Sequence, residues 1–207
     1  DKSGRIPLLG DFEARMRRLG AAKGGWLVAV SGGPDSFALL DLAYRSVHRT
    51  PRPLHAVTVH HHLRPEAEDE LMAVRGWCDA RNITHHRQDL EPPANPAAAR
   101  HARYQALKTV AFEQKLPHIL LGHHADDQVE SILLALVRGA GPKGLGGMRD
   151  CRDLGGGIQV LRPFLETPGR TLRDHAQEHH LPFHDEPGNL DPQSARGRIR
   201  TLIRPQL

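Results

Sequence analysis

The sequence predicts an α/β fold: a doubly wound, mostly parallel five-stranded sheet with helices on both faces. Short apolar runs alternate along the chain with longer segments in which apolar residues recur at helical spacing. The short runs are rich in residues that favour strands, and glycine, proline or charged residues bound each of them. Such alternation of strands and helices is typical of a parallel sheet that helices cover on both faces.

The predicted elements follow one another in a regular order. After a helical lead-in over residues 1–24, strands are predicted at 26–30, 54–59, 83–87, 118–121 and 158–161. Helices are predicted at 36–48, 66–81, 97–114, 126–137 and 167–180. Proline marks 91–96 as a loop, glycine marks 139–147 as a turn, and 185–207 is predicted to be irregular and arginine-rich. In such sheets ligands bind beyond the carboxyl ends of the strands, near the point where the strand order reverses.

Length and composition fit one globular domain over residues 1–207. The chain has 39% hydrophobic and 25% charged residues, which is enough to bury a core of its own. No apolar run is long enough to cross a bilayer and the first residues lack the pattern of a secretory signal, so we expect a cytoplasmic protein with no membrane partner. A formal net charge of +4, with arginine as the main basic residue, favours an anionic partner.

The cysteines and histidines predict no metal centre. Cys78 and Cys151 are the only cysteines and form no C-x-x-C pair, so neither a disulfide framework nor a thiolate zinc site is indicated. The tract 60–62 is all histidine, but adjacent strand residues point to opposite faces. The pairs 85–86 and 179–180 are expected on the surface or in packing.

The segment 31–36, Ser-Gly-Gly-Pro-Asp-Ser, connects a predicted strand to a predicted helix. Backbone N–H groups of such a turn and of the first helical turn converge on one point, which favours an anion. The two glycines let a phosphate approach closely, and the hydroxyls of Ser31 and Ser36 add donors. The alternative is a tight turn in which Asp35 or Ser36 merely caps the helix. The absence of lysine excludes a Walker loop.

A second polar segment follows the strand at 118–121. Asp126, Asp127 and Glu130 lie in the first turns of the next predicted helix. Acidic residues there can simply compensate the helix dipole. Asp127 and Glu130, however, share a helix face that would point to the same edge of the sheet as Asp35.

These motifs resemble two nested families. The first loop is similar to the S-G-G-x-D-S signature of the PP-loop ATP pyrophosphatases, which cleave ATP between the α- and β-phosphates. The run 122–148 resembles the G-H-H-x-D-D-Q-x-E motif and its continuation in tRNA(Ile)-lysidine synthetases. Further matches follow in the family's order at 59–67, 99–104, 161–165, 187–189 and 196–200, so the resemblance covers residues 26–207. Departures from the family pattern stand at His62, Ser131, Phe164 and 186–189.

The resemblance implies a reaction and its partners. Members attach L-lysine to the wobble cytidine of the tRNA(Ile) with a CAU anticodon, using ATP and Mg²⁺ and passing through an adenylated cytidine. By resemblance, the catalytic residues are Asp35, Asp127 and Arg162, with Mg²⁺ on the two aspartates. ATP would contact Ser31, Gly32, Gly33, Pro34, Asp35, Ser36, His61 and Arg100. Lysine would contact Asp127 and Glu130, and tRNA would contact Arg103, Arg138, Lys143, Arg196 and Arg200.

The sequence also allows two other functions to be considered. A tRNA thiolation enzyme of the same superfamily would be expected to carry a C-x-x-C pair, which is missing. A module that senses ATP without catalysis would have no need of Asp127 and the run 138–148. Family members usually continue into C-terminal tRNA-binding domains, which we expect to be absent from this chain. The oligomeric state is not given by the sequence, and a homodimer is one option.

Overall fold

Strands and helices alternate through the parts of the chain that the computed structural model describes, residues 7–60, 66–92, 94–142, 144–185 and 195–199. The strands are β1 (Trp26–Ala29), β2 (Leu54–His60), β3 (Thr84–Asp89), β4 (His118–Leu120), β5 (Cys151–Asp153) and β6 (Gln159–Leu161). The helices are α1 (Pro7–Arg18), α2 (Pro34–Arg49), α3 (Glu66–Asp79), α4 (Pro96–Glu113), α5 (Ala125–Val137), α6 (Gly169–Glu178) and α7 (Ala195–Arg198). Helix α1 lies within the predicted lead-in. No helix in these ranges is long and apolar enough to cross a membrane.

The strands form one sheet in the order β3-β2-β1-β4-β6-β5. The pairs β1–β2, β2–β3, β1–β4 and β4–β6 are parallel, which confirms the predicted fold class. From β1 the chain moves outward to β2 and β3, and then returns to place β4 on the other side of β1. The strand order therefore reverses between β1 and β4, and the crevice beyond their carboxyl ends is the expected ligand position.

The prediction of five strands was wrong, because a sixth strand, β5, pairs antiparallel with β6 at the edge of the sheet. Its sequence is Cys151-Arg152-Asp153, and its two charged residues are exposed, so no apolar run marks it. The charged residues around Cys151 favour a loop, but Cys151 lies in a strand. Antiparallel pairing follows from the short connection to β6, which contains three consecutive glycines with positive φ.

Two apolar cores cover the two faces of the sheet. Because side chains alternate along a strand, Trp26 and Val28 of β1 pack with helices α1, α2, α3 and α6 on one face. Leu27, between them, packs with α4 on the other face. The helices thus hold β1 and β4 from both sides, and the first residues beyond these strands, Val30 and Leu121, are buried.

Candidate active site

The loop between β1 and α2 is held in shape by its two serines. The Ser36 hydroxyl donates to the carbonyl of Gly33 at 2.9 Å and accepts from the backbone N–H of Ser31 at 3.2 Å. The Ser31 hydroxyl also donates to Ser36 Oγ, at 3.3 Å. Ser36 is buried and Ser31 exposed. Ser31 is therefore the hydroxyl that faces solvent, whereas Ser36 stabilises the turn.

The start of α2 is open to an anion. Gly33 is its N-cap, with φ −78° and ψ 165°, and Pro34 occupies the first turn. Among the described residues no side chain caps this end, so the alternative in which Asp35 or Ser36 merely caps the helix is not what the structure shows. The N–H groups of the first turn have no carbonyl partner within the helix itself. They are therefore oriented toward the crevice with the positive end of the helix dipole.

The loop after β4 packs directly against the start of α2. A Cβ built on Gly122 would lie 3.0 Å from the carbonyl oxygen of Asp35 and 3.3 Å from the backbone nitrogen of Ser36. Only glycine permits this approach without a shift of one backbone or the other. The close contact brings His124, two residues later, to the side chain of Asp35.

His124 lies between the two aspartates that the family resemblance assigns to magnesium. Its Nε2 atom is 3.4 Å from Asp35 Oδ2 and 3.5 Å from Asp127 Oδ2. Asp127 also accepts a hydrogen bond from the backbone N–H of His124 at 3.2 Å, which fixes the carboxylate at the start of α5. Asp35 and Asp127 thus meet at one point, as their positions after β1 and β4 led us to expect.

The charges of this cluster compensate one another. Burial disfavours the imidazolium form of His124, but the hydrogen bond to Asp35 and the charges of Asp127, Asp35 and Asp126 outweigh burial and raise the pKa of His124 above its ordinary value. The side chains of Asp35 and Asp127 are 34% and 15% exposed, so both remain accessible from the crevice. The carboxylates of Asp35 and Asp127 therefore favour a cation at the point between them.

The carboxylates fit a magnesium ion in their chemistry. Mg²⁺ prefers oxygen ligands and is usually held by one or two carboxylates together with substrate phosphates. Asp35 and Asp127 supply two such groups beside the open end of α2. Glu130, one turn further along α5, is fully buried. Its carboxylate therefore lies behind Asp127 rather than at the surface of the crevice.

Three arginines lie close enough to His123 for their charges to act on it. Arg162, which follows β6, is 2% exposed and donates to the hydroxyl of Tyr104 at 2.8 Å and to the carbonyl of Arg149 at 2.7 Å. Arg100 donates to the same hydroxyl at 3.4 Å. Burial lowers the pKa of His123 to about 4, with Asp127 opposing and the charges of Arg162, Arg100 and Arg103 adding to the decrease. The imidazole of His123 is therefore neutral at neutral pH.

The residues predicted to bind tRNA are more scattered. Arg103 is exposed on α4. Arg138 is exposed at the C-terminal end of α5, about 16 Å along the helix from Asp127 at 1.5 Å per residue. Arg196 lies in α7. His61, Lys143 and Arg200 lie outside the described residues.

Three residues of the site were not singled out from the sequence. His124 and His123 stood inside the recognised motif, and their position directly after a strand was the available signal. Tyr104 stood at the end of the recognised match at 99–104, but its contact with Arg162 was not predictable because Arg162 is distant in sequence.

Gln128 connects the site to the glycine-rich turn after α5. Its side-chain amide donates to the carbonyl of Met148 at 2.9 Å and accepts from the N–H of Met148 at 2.7 Å. A Cβ on Gly147, which has φ +65°, would lie 2.8 Å from the Gln128 side chain. Gln128 thus fixes residues 147–148 onto α5, next to Asp127.

Comparison with known proteins shows the family of the chain. A family model described as a PP-loop domain matches residues 10–207. The chain is 40% identical over 199 residues to a tRNA(Ile)-lysidine synthase of Methylobacterium nodulans, a match that covers 93% of this chain and 58% of that protein. It is 37% identical over 190 residues to the bifunctional protein TilS/HprT of Listeria innocua, covering 87% of this chain and 29% of that protein. The chain therefore spans 58% or less of the length of these two relatives.

Among solved structures, the chain is similar to the U34-tRNA thiolase NcsA of Methanococcus maripaludis. The TM-score is 0.72, the sequence identity is 18%, and the match covers 87% of this chain and 66% of that chain. At this identity the similarity concerns the fold alone.

Proposed function

The chain belongs to the PP-loop domain family, and from this membership we propose that it is the catalytic part of a tRNA(Ile)-lysidine synthetase, a ligase. It would join L-lysine to the wobble cytidine of the tRNA(Ile) with a CAU anticodon. ATP would be converted to AMP and pyrophosphate through an adenylated cytidine. The observation that carries the proposal is the meeting of Asp35 and Asp127 at His124, beside the uncapped start of α2.

The first half of the reaction is assigned to the crevice between β1 and β4. The loop 31–36 would bind the leaving pyrophosphate through backbone N–H groups and the Ser31 hydroxyl. Asp35 and Asp127 would hold Mg²⁺, which supplies neutralisation of phosphate charge when bound. Arg162 and Arg100, oriented by Tyr104, would add positive charge on the side of the α-phosphate.

The second half requires an uncharged amine. The lysine ε-ammonium must lose a proton, to Asp127 or to solvent, before its nitrogen attacks the cytidine carbon and displaces AMP. Asp127 is the accessible carboxylate that would orient this amine, and Glu130 would add negative charge behind it. Arg103, Arg138, Lys143, Arg196 and Arg200 are proposed contacts for tRNA phosphates, and His61 is a proposed contact for ATP.

The reaction itself provides the test. The chain is incubated with labelled L-lysine, Mg-ATP and a transcript of the tRNA(Ile) carrying the CAU anticodon. We expect label in the tRNA, with AMP and pyrophosphate released in equal amount. A transcript with uridine at the wobble position is the matched control and should gain no label.

Two outcomes would contradict the proposal. AMP formation without lysine transfer would indicate a different acceptor for the adenylate. Tight ATP binding without AMP formation, at any tRNA concentration, would favour a module that senses ATP.

The two thiols are predicted to take no part in the reaction. Burial raises the pKa of the Cys78 thiol to about 12, so almost no thiolate forms at neutral pH. Burial also raises the pKa of Cys151, which lies in the edge strand β5. We therefore expect a Cys78→Ala, Cys151→Ser double variant to transfer lysine at the wild-type rate. Loss of turnover in a folded double variant would instead favour a thiolation enzyme.

The proposal includes a cellular setting. We propose that the chain acts in the cytoplasm, where tRNA, ATP and L-lysine are available, and that it has no membrane partner. A homodimer is the assembly to be tested first, by measuring the mass of the chain in solution.

A further inference from the structure

A second cluster of metal-ligand side chains lies between helices α2 and α6, away from the crevice. Asp41 lies in the middle of α2, about 9 Å along the helix from Asp35. His175 lies in the last turn of α6, and His179, four residues later, is the C-cap of that helix. One potential ligand atom from each of these three residues lies within 4.8 Å of the other two. Two imidazoles and a carboxylate therefore converge from two helices.

Two members of the cluster already bind each other. Asp41 and His175 are 2% and 4% exposed, and Asp41 Oδ2 is 2.8 Å from His175 Nε2. Arg45 Nε donates to the same carboxylate oxygen at 2.6 Å. Burial favours the neutral acid, but the hydrogen bonds from His175 and Arg45 outweigh it and hold the pKa of Asp41 below its ordinary value. Asp41 is therefore a buried carboxylate ion at neutral pH.

His179 is the member that this network does not explain. Its Nε2 atom is buried and has no hydrogen-bond partner among the described residues. The ring contacts His175 edge to face, with the centroids 4.4 Å apart. Burial, together with the neighbouring His175 and Arg45, lowers the pKa of His179 despite the opposing charges of Asp41 and Glu178. A buried ring nitrogen without a hydrogen-bond partner is costly unless a ligand completes it.

We propose that Asp41, His175 and His179 bind a divalent transition metal, with Zn²⁺ as the best match. Two imidazoles one helical turn apart and one carboxylate are a set that Zn²⁺ favours, with a water as the fourth ligand. The metal replaces the hydrogen bond between Asp41 and His175. Arg45, whose side chain is 34% exposed, has room to turn toward solvent.

The consequence of metal binding is structural. The ion would connect the end of α6 to α2, and the first turn of α2 is part of the loop 31–36. This role is separate from the proposed lysine transfer, so it is tested by binding and stability alone.

The test uses the chain stripped of metal with a chelator. Zn²⁺ binding is measured by calorimetric titration, and its effect on stability is measured by thermal unfolding. Co²⁺ replaces Zn²⁺ in a separate sample as a spectroscopic probe. We expect one site, a melting temperature raised by several degrees, and the visible absorption of tetrahedral Co²⁺. His179→Asn should weaken binding by roughly 100-fold while leaving the unfolding of the metal-free chain unchanged.

Two further variants make the test specific. His180→Asn is the matched control, because His180 is adjacent and exposed, and asparagine tolerates its positive φ of 49°. It should bind Zn²⁺ like the wild type. Arg45→Gln removes a competitor for Asp41 and should tighten binding. Equal Zn²⁺ affinity in wild type and His179→Asn, or no saturable site in the wild type, would overturn the proposal.

Discussion

Replacing Asp127 with asparagine is expected to lower tRNA-dependent pyrophosphate release by roughly 100- to 1,000-fold. Asparagine keeps the shape of the side chain and an oxygen that can accept from the N–H of His124. It removes the negative charge that, together with Asp35, would hold Mg²⁺ against the phosphates. The measurement is the initial rate of pyrophosphate release with saturating ATP, lysine and tRNA. Asp35→Asn should cause a loss of similar size.

The double variant makes this prediction sharper. If the two aspartates act on one cation, Asp35→Asn combined with Asp127→Asn should be little slower than either single variant. Asp79→Asn on α3 is the control, because its side chain is 66% exposed and pairs only loosely, at 3.7 Å, with Arg75. Wild-type rates in both single variants would remove these aspartates from the proposed site.

Gly32→Ala is expected to destabilise the chain by about 2–4 kcal/mol. Gly32 has φ +92°, which an alanine adopts only with strain, and a Cβ there would lie 2.8 Å from Cβ of Glu70 on α3. The loop would have to move away from α3 to accept the methyl group. Denaturant unfolding measures this loss, and ATP binding should weaken with it.

A variant at the neighbouring glycine, Gly33, distinguishes an effect on stability from an effect on ATP binding. Gly33 has an ordinary φ of −78°, and among the described residues a Cβ there would meet only Ser31 Oγ, at 3.7 Å. Gly33→Ala should therefore change stability by no more than about 1 kcal/mol. If a phosphate approaches this backbone closely, the same variant should weaken ATP binding by roughly tenfold. An unfolding midpoint for Gly32→Ala equal to that of Gly33→Ala would contradict the steric argument.

The predictability of each part depended on the kind of signal it left in the sequence. The strands β1, β2, β4 and β6 were predicted because buried parallel strands carry apolar runs. Strand β5 was missed because an exposed edge strand with two charged residues carries none. Asp35 and Asp127 were placed at one edge because both follow parallel strands. The intervening position of His124 was not predictable, since it depends on β1 and β4 being neighbours.

The cluster of Asp41, His175 and His179 could not be predicted from the sequence either, because it also depends on which elements are neighbours in the fold. His179 and its neighbour were expected on the surface or in packing. The spacing of His175 and His179 places both on one face of a helix, but nothing local indicates which helix that face meets. The pairing with Asp41 is a property of the assembled fold.

The two edges of the sheet also govern how the chain behaves at high concentration. An edge strand presents unpaired backbone groups that can join another chain and start aggregation. Here one edge is β5, with Arg152 and Asp153 exposed, and the other is β3, whose sequence is Thr-His-His-Arg-Gln-Asp. Joining a second copy along either edge would bring these polar and charged side chains together and cost their hydration. The polar side chains of the two outer strands thus disfavour aggregation through strand pairing. If a dimer forms, its interface is expected to consist of helices rather than a continuous intermolecular sheet.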